Sequence, residues 1–201
     1  MKNILITQSL YRDFRNNLYS KLYYEWNKYS QKNNFNLWPI SLDISINSLK
    51  NIKYDGIIFS GGNSLNKYSK NHENKLRDRF EKKLLKLFIT TKVPKLFICR
   101  GMQLIADFYN IKLFKTNKHV RKNHKIIFND NAELNVNSYH TFVLKDKPIG
   151  FNILAKHKHD NTIEIMENKK KKILCLMFHP ERLSLDQKKI DKIFKNFFDL
   201  K

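Results

Sequence analysis

Lys95-Leu96-Phe97-Ile98-Cys99-Arg100-Gly101-Met102-Gln103 decides how this chain folds. A short apolar run ends in a cysteine, a glycine follows two residues later, and an amphipathic stretch, Met102 to Tyr109, comes next. That order reads as a buried strand, a tight turn with Cys99 at its tip, and a helix. A thiol at such a tip sits beside a helix N-terminus, whose partial positive charge favours the reactive thiolate. The ordinary alternative for a lone cysteine is an inert thiol buried at a strand end.

Working outward, the first half of the chain alternates strand and helix. Strands are expected at 3–7, 35–40, 54–60 and 95–99, and helices at 14–32 and 73–88. The 14–32 helix rests on Leu18, Leu22 and Trp26 falling along one face. Such alternation predicts a parallel sheet with helices on both faces. The second half differs: short apolar runs at 111–114, 125–128, 134–137, 153–156, 162–166 and 173–178 are separated by polar turns, as antiparallel hairpins require. A final helix over 185–200 carries Ile190, Ile193, Phe194 and Phe197 on one side. The expected fold class is therefore α/β, a doubly wound, mostly parallel central sheet with antiparallel additions in the C-terminal half. Gly62, Cys99 and His179 each fall just past a strand end. The carboxyl ends of the strands are where such sheets bind ligands.

At 201 residues the chain fits a single domain, 1–201. Cys99 and Cys175 make no disulfide framework, and no apolar run has membrane-spanning length; a reducing, cytoplasmic setting is expected. The net charge of +21 comes from dispersed lysines rather than an arginine stripe, so nucleic-acid binding is not expected. The dense run Lys169 to Lys172 suits a solvated hairpin turn. The charge that remains is a positive field favouring anionic substrates.

His179-Pro180-Glu181 follows the run Leu174 to Phe178. Residues two apart in an extended segment point the same way, so His179 and Glu181 can share a site, with Pro180 stiffening the backbone between them. An imidazole that moves the thiol proton, oriented by a carboxylate, is what a cysteine nucleophile needs. Gly61-Gly62-Asn63 follows the strand Gly56 to Phe59 and reads either as an ordinary glycine turn or as a source of a backbone amide for an oxyanion, with the Arg100 amide as second donor. Cys175, among Leu174, Leu176 and Met177, reads as a buried inert thiol. His119, Arg121, His124, His157 and His159 show no metal-ligand spacing, and no metal is expected. His119 to His124 reads as a basic loop: solvated charge, or a contact for an anionic substrate.

Taken together, Cys99-Arg100-Gly101-Met102-Gln103, Gly61-Gly62-Asn63, Asn137-Ser138-Tyr139-His140 and His179-Pro180-Glu181 resemble a class I glutamine amidotransferase domain, in its γ-glutamyl hydrolase-like branch, across nearly the whole chain. The resemblance implies the flavodoxin-like fold of that class. It also implies a Cys99–His179–Glu181 triad, an oxyanion hole from the amides of Gly62 and Arg100, and no cofactor. Asn63 belongs to the oxyanion-loop motif and is carried as a substrate contact. Gln103 matches a position that contacts the glutamyl carboxylate, or is simply a polar residue at a helix start. Asn137, Tyr139 and His140 match a segment bordering the glutamyl pocket; equally, Tyr139 can be core and His140 a satisfied strand-end histidine. One position departs from the family pattern: Phe97 stands where a glycine two residues before the nucleophile lets strand and helix pack closely.

The implied reaction is acyl transfer through a glutamyl thioester on a small, anionic γ-glutamyl substrate. The motifs and length look most like a small bacterial branch associated with capsule biosynthesis. That likeness implies hydrolysis of γ-glutamyl-CDP-amidate to glutamate and cytidine diphosphoramidate, a precursor of capsular O-methyl phosphoramidate. The alternatives are a glutaminase subunit feeding ammonia to a separate synthetase partner, a hydrolase of another γ-glutamyl compound, an inactive regulatory relative, a nucleic-acid-binding module, and a thiol-stress or chaperone protein of related fold, which would not explain His179-Pro180-Glu181.

Overall fold

The computed structural model describes residues 1–49 and 51–201. In chain order the strands of the first half are β1 (Lys2–Thr7), β2 (Ser9–Arg12), β3 (Leu18–Lys21), β4 (Phe35–Ile40), β5 (Gly56–Phe59) and β6 (Lys95–Ile98). Their helices are α1 (Tyr24–Lys32), α2 (Ile46–Leu49), α3 (His72–Phe88) and α4 (Arg100–Phe108). The second half supplies β7 (Leu113–Lys115), β8 (Val120–Phe128), β9 (Glu133–Tyr139), β10 (Phe142–Leu144), β11 (Asn152–His157), β12 (Ile163–Asn168), β13 (Ile173–Leu176) and α5 (Gln187–Phe198).

A nine-stranded sheet runs in the order β4-β1-β5-β6-β13-β12-β11-β8-β9. From β4 to β13 every pairing is parallel, and from β13 to β9 every pairing is antiparallel. The parallel strands are apolar on both faces because helices cover both. Residue alternation separates the two cores cleanly. Leu5, Ile57, Phe59, Phe97 and Cys175 face α3 and α4, where Leu84, Leu85, Met102 and Ile105 pack. Ile4, Ile6, Ile58, Leu96, Ile98, Leu174 and Leu176 face α1 and α5, where Trp26, Tyr29, Ile190 and Phe194 pack. The run Lys169 to Lys172 does turn the β12–β13 hairpin, with Lys172 at φ 51°.

The expected helix over 14–32 is only half right. Ser9–Arg12 pairs with Leu18–Lys21 as a separate hairpin, and α1 begins at Tyr24. The Asp13 carboxylate caps the connecting turn, accepting from the amides of Arg15 (2.9 Å) and Asn17 (2.8 Å), while Asn16 takes a left-handed φ of 66°. Asp and Asn favour such turns over helix. The apparent helical stripe is therefore coincidental: Leu18 is exposed, and only Trp26 is buried. The stretch His119 to His124 is not a loop either: His119 ends a turn, and Val120 to His124 open the long strand β8. The short α2 and β10 carry no distinct signal in the sequence.

β5, β6 and β13 lie side by side and run parallel, so their carboxyl ends share one edge. The segments leaving that edge begin at Ser60, Cys99 and Met177, and the site is built from them.

Candidate active site

Cys99 sits between β6 and α4 with φ 49° and ψ −102°, and it is almost wholly buried. A positive φ at a non-glycine residue costs on the order of 1–3 kcal/mol and persists only where the surroundings enforce it. Here the Cys99 amide donates to Leu176 O (2.7 Å), continuing the sheet ladder, while its carbonyl already accepts from Gln103 N (3.1 Å) in the first helical turn. The chain must therefore reverse within one residue. Gly101 makes this possible: a Cβ there would lie 2.2 Å from Phe59 O. Phe97 does not open the turn. It is fully buried and stacks flat on its register partner Phe59, with centroids 4.5 Å apart and planes 5° from parallel.

The oxyanion-loop candidate Gly61-Gly62-Asn63 is held from below. Gly62 has φ 78°, which glycine adopts freely. The buried Arg77 guanidinium donates to the carbonyls of Ser60 (2.9 Å), Gly61 (2.9 Å) and Gly62 (3.0 Å). It also reaches Asn63 Oδ1 (3.1 Å) and, through Nε, Glu81 Oε1 (3.0 Å). Arg100 pairs with Glu81 and with Asp78 (2.5 Å), which joins the elbow to the loop through one buried charge network. With their carbonyls engaged by Arg77, Gly61 and Gly62 are fixed in orientation. The Arg100 amide is the first of α4 and has no partner within the helix. Asn63 lines the cavity, but its side chain is committed to β2, accepting from Leu10 N (2.8 Å) and donating to Leu10 O (2.9 Å).

His179 is buried over Gly61, where a Cβ would come 2.4 Å from its Cε1. Its Nδ1 lies 2.7 Å from Glu181 Oε1, and Cys99 borders the same cavity close enough to influence the ring's charge. Burial pushes the imidazole pKa down, but the Glu181 carboxylate and Cys99 more than offset this and raise it to about 10. Asn137 is not positioned to contact a substrate. It is buried beneath the segment, donating to His179 O (2.7 Å), Arg182 O (3.0 Å) and Ser184 Oγ (2.8 Å) and accepting from His179 N (3.0 Å). Gly61→Ala is expected to push the imidazole off Glu181 and lower kcat on the order of 10²-fold with unchanged far-UV circular dichroism. Wild-type kcat in that variant would show that the close approach is unimportant.

A cavity of about 270 Å³ opens over these groups. Cys99, His179, Gly62, Asn63, Arg100, Gln103, Tyr139 and His140 all border it, together with Tyr23, Phe142 and Arg182. Gln103 donates only a long bond to Phe142 O (3.4 Å), which leaves its amide free to face a ligand. Tyr139 is exposed at the rim, with its ring edge-on to His179 at 5.9 Å. Sequence reasoning missed Arg182, whose guanidinium lies 4.4 Å from the Tyr139 ring and 5.0 Å from the Tyr23 ring. It also missed Arg77 and Glu81. Their signal was available: two opposite charges four residues apart on the face of α3 that carries Phe80, Leu84 and Leu85.

Residues 8–200 match the family of class-I glutamine amidotransferases. The chain belongs to that family. A γ-glutamyl-CDP-amidate hydrolase of Campylobacter jejuni is 34% identical over 161 residues, covering 79% of this chain and 78% of that protein. A subunit of the glutamine-hydrolyzing GMP synthase of Methanocaldococcus jannaschii is 32% identical over 160 residues, covering 76% of each. Among solved structures, a glutamine amidotransferase of Thermotoga maritima superposes with a TM-score of 0.66 at 13% identity, over 98% of this chain and 82% of that one, a likeness of fold. No helix among the described residues is long and apolar enough to cross a membrane.

Sequence spacing shows no metal-ligand set in this amidotransferase, but the fold brings ligand-type side chains together. His119, His124, His140 and Glu164 bring ligand atoms within 4.8 Å of one another, and His119, His157 and Asp160 form an adjoining group. His119 and His124 are five residues apart, which on a regular strand sends them to opposite faces. A bulge at Arg121, with φ 52° and a register shift between Val120 and Lys122, adds one residue and restores the parity. Burial pushes the Glu164 carboxyl up, yet the surrounding imidazoles bring it down to about 2. His140, read from sequence as a pocket residue, borders both this cluster and the cavity.

Proposed function

We propose that this chain is a cysteine-dependent γ-glutamyl amide hydrolase, and that γ-glutamyl-CDP-amidate is its substrate. The observation that carries the chemistry is the strained Cys99 elbow against a buried, Glu181-bound imidazole. The substrate reading is supported by the 34% identity to the Campylobacter hydrolase. Arg182 adds support: a cation between two aromatic rings at the mouth suits a diphosphate-bearing leaving group.

In the proposed reaction the Cys99 sulfur attacks the γ-carbonyl carbon. The carbonyl electrons move to oxygen, which the amides of Gly62 and Arg100 stabilise. His179, whose raised pKa of about 10 favours the imidazolium, takes up the proton that the sulfur loses on attack and delivers it to the departing nitrogen. The C–N bond breaks, leaving a glutamyl thioester. A water then gives its proton to His179 and its oxygen to the carbonyl carbon, and the C–S bond breaks to release glutamate. Gln103 is placed to hold the glutamyl carboxylate, and Asn137 positions His179.

The test is glutamate release by the purified protein from γ-glutamyl-CDP-amidate, γ-glutamyl peptides and L-glutamine. Fast release from the nucleotide with little from glutamine supports the reading, and release from glutamine alone removes it. The second reading, an ammonia-supplying component, draws on the 32% identity to the Methanocaldococcus GMP synthase chain. It requires glutamine turnover that rises when a synthetase is added.

Glu181→Gln is expected to lower kcat on the order of 10²–10⁴-fold, since the carboxylate both orients the imidazole and stabilises its charge. A loss equal to that of Cys99→Ala would assign Glu181 some other role. The same pair links stability to pH. The folded His179 pKa, about 10, lies above the ordinary 6.5. Its contribution is therefore fully present below pH of about 6.5 and is lost as pH rises toward about 10. Glu181→Gln should flatten this fall in Tm; parallel wild-type and variant profiles would contradict it.

A further inference from the structure

We propose that His119 Nδ1, His124 Nε2, His140 Nε2 and the Glu164 carboxylate form a structural zinc site beside the Cys99 cavity. The site does not depend on the hydrolase reading. His119 and Glu164 are fully buried and His140 is 2% exposed. His119 Nδ1, His124 Nε2, His140 Nε2 and both Glu164 oxygens have no hydrogen-bond partner. Buried polar atoms are nearly always paired, so this many converging on one point require an explanation.

The tautomers sharpen the case. His140 Nδ1 lies 3.1 Å from Phe142 O, and a carbonyl only accepts, so the ring proton sits on Nδ1. The remaining Nε2 lone pair then points at Glu164 Oε1, 3.6 Å away. His119 repeats the arrangement. Its Nε2 bonds Asp160 Oδ2 at 2.7 Å, and its Nδ1 lies 3.6 Å from Glu164 Oε1. With neutral rings acceptor faces acceptor, which is repulsive unless a metal cation, or a further proton on the imidazole, lies between. A carboxylate or carbonyl behind a ligating histidine is the usual support of such sites.

Spacing and chemistry select the ion. Ligands at Zn–N and Zn–O distances of about 2.0–2.1 Å sit roughly 3.4 Å apart along a tetrahedral edge. His119 Nδ1 and His140 Nε2 each lie 3.6 Å from Glu164 Oε1, and His124 Nε2 lies 3.3 Å from Oε2 of the same carboxylate. Three imidazoles and a carboxylate suit zinc better than magnesium or calcium, which take oxygen ligands. Four protein ligands leave no open position, as in structural rather than catalytic sites. The ion would tie the start of β8, the β9–β10 corner and β12 together. Because His140 borders the cavity, it would also stiffen one wall of it.

The test uses full-length protein without a histidine tag. Metal analysis should find about one zinc per chain. After removal with dipicolinate, Co²⁺ should give the intense visible bands of a tetrahedral complex, and returning zinc should raise Tm by roughly 5 °C or more. His124→Ala should abolish the tetrahedral spectrum. Should that variant not fold, Asp160→Asn, which touches none of the four ligands directly but weakens the support of His119 and also the bonds to His157 and Thr162, should weaken zinc binding about 10–100-fold. Folded protein with less than about a tenth of a zinc per chain and no Co²⁺ bands would overturn the proposal, leaving a protonated histidine–glutamate network. Undiminished zinc affinity in folded His124→Ala or Asp160→Asn would overturn it too.

Discussion

Cys99→Ala is expected to reduce turnover of any γ-glutamyl substrate on the order of 10⁴–10⁶-fold, the loss typical of removing a nucleophile that acts as a unit with its base. The fold should remain intact. The side chain is small and alanine fits its space, and the backbone contacts fixing the elbow, Cys99 N to Leu176 O and Gln103 N to Cys99 O, do not involve the thiol. Alanine retains the φ of 49°, so the strain stays, whereas Cys99→Gly should relieve it and raise stability by about 1 kcal/mol or more. The pair of variants separates chemistry from folding. Both should be inactive, and only the glycine variant should melt higher. Activity above about a hundredth of wild type in folded Cys99→Ala would refute the assignment.

Arg77→Met is expected to be the most damaging change outside the proposed triad. It removes the donors for the carbonyls of Ser60, Gly61 and Gly62 and leaves Glu81 with Arg100 alone. Breaking a fully buried ion pair by deleting one partner costs roughly 3–5 kcal/mol, because the other charge stays buried. In a chain of this length that corresponds to a fall in Tm of about 10 °C. Arg77→Lys should recover little, since an ammonium lacks the planar fork that serves several carbonyls at once. Activity should fall as well, because the Gly62 amide loses its fixed direction. Denaturant unfolding checks the first effect and glutamate release the second. A stability change below about 0.5 kcal/mol would show that the network does not hold the loop.

The elements that the sequence announced share one property: their signal is local. The apolar runs of β1, β5, β6 and β13 are bounded by glycine, proline or charge, and their alternation in space follows from the strand period alone. The strand–Cys99–helix turn needed only Gly101 and the apolar flanks to be seen. His179 and Glu181 were legible because two residues of extended chain fix their relative direction. The turn and second strand of the Ser9–Lys21 hairpin, from Phe14 on, read as helix in the sequence, but Asp13, Asn16 and Asn17 break the chain more strongly than Leu18, Leu22 and Trp26 extend it.

What the sequence by itself determined, then, is the doubly wound core, the elbow cysteine and its candidate partners, each written within about ten neighbouring residues. Tertiary structure alone decided how they are held. Arg77 reaches across from α3 to grip the loop after β5, Asn137 reaches from β9 to clamp the backbone of His179, and Phe97 escapes the elbow by stacking on Phe59. It alone also decided that His119, His124, His140 and Glu164 meet. Their convergence depends on a one-residue bulge at Arg121 and on strands far apart in sequence, and no periodicity along the chain encodes either.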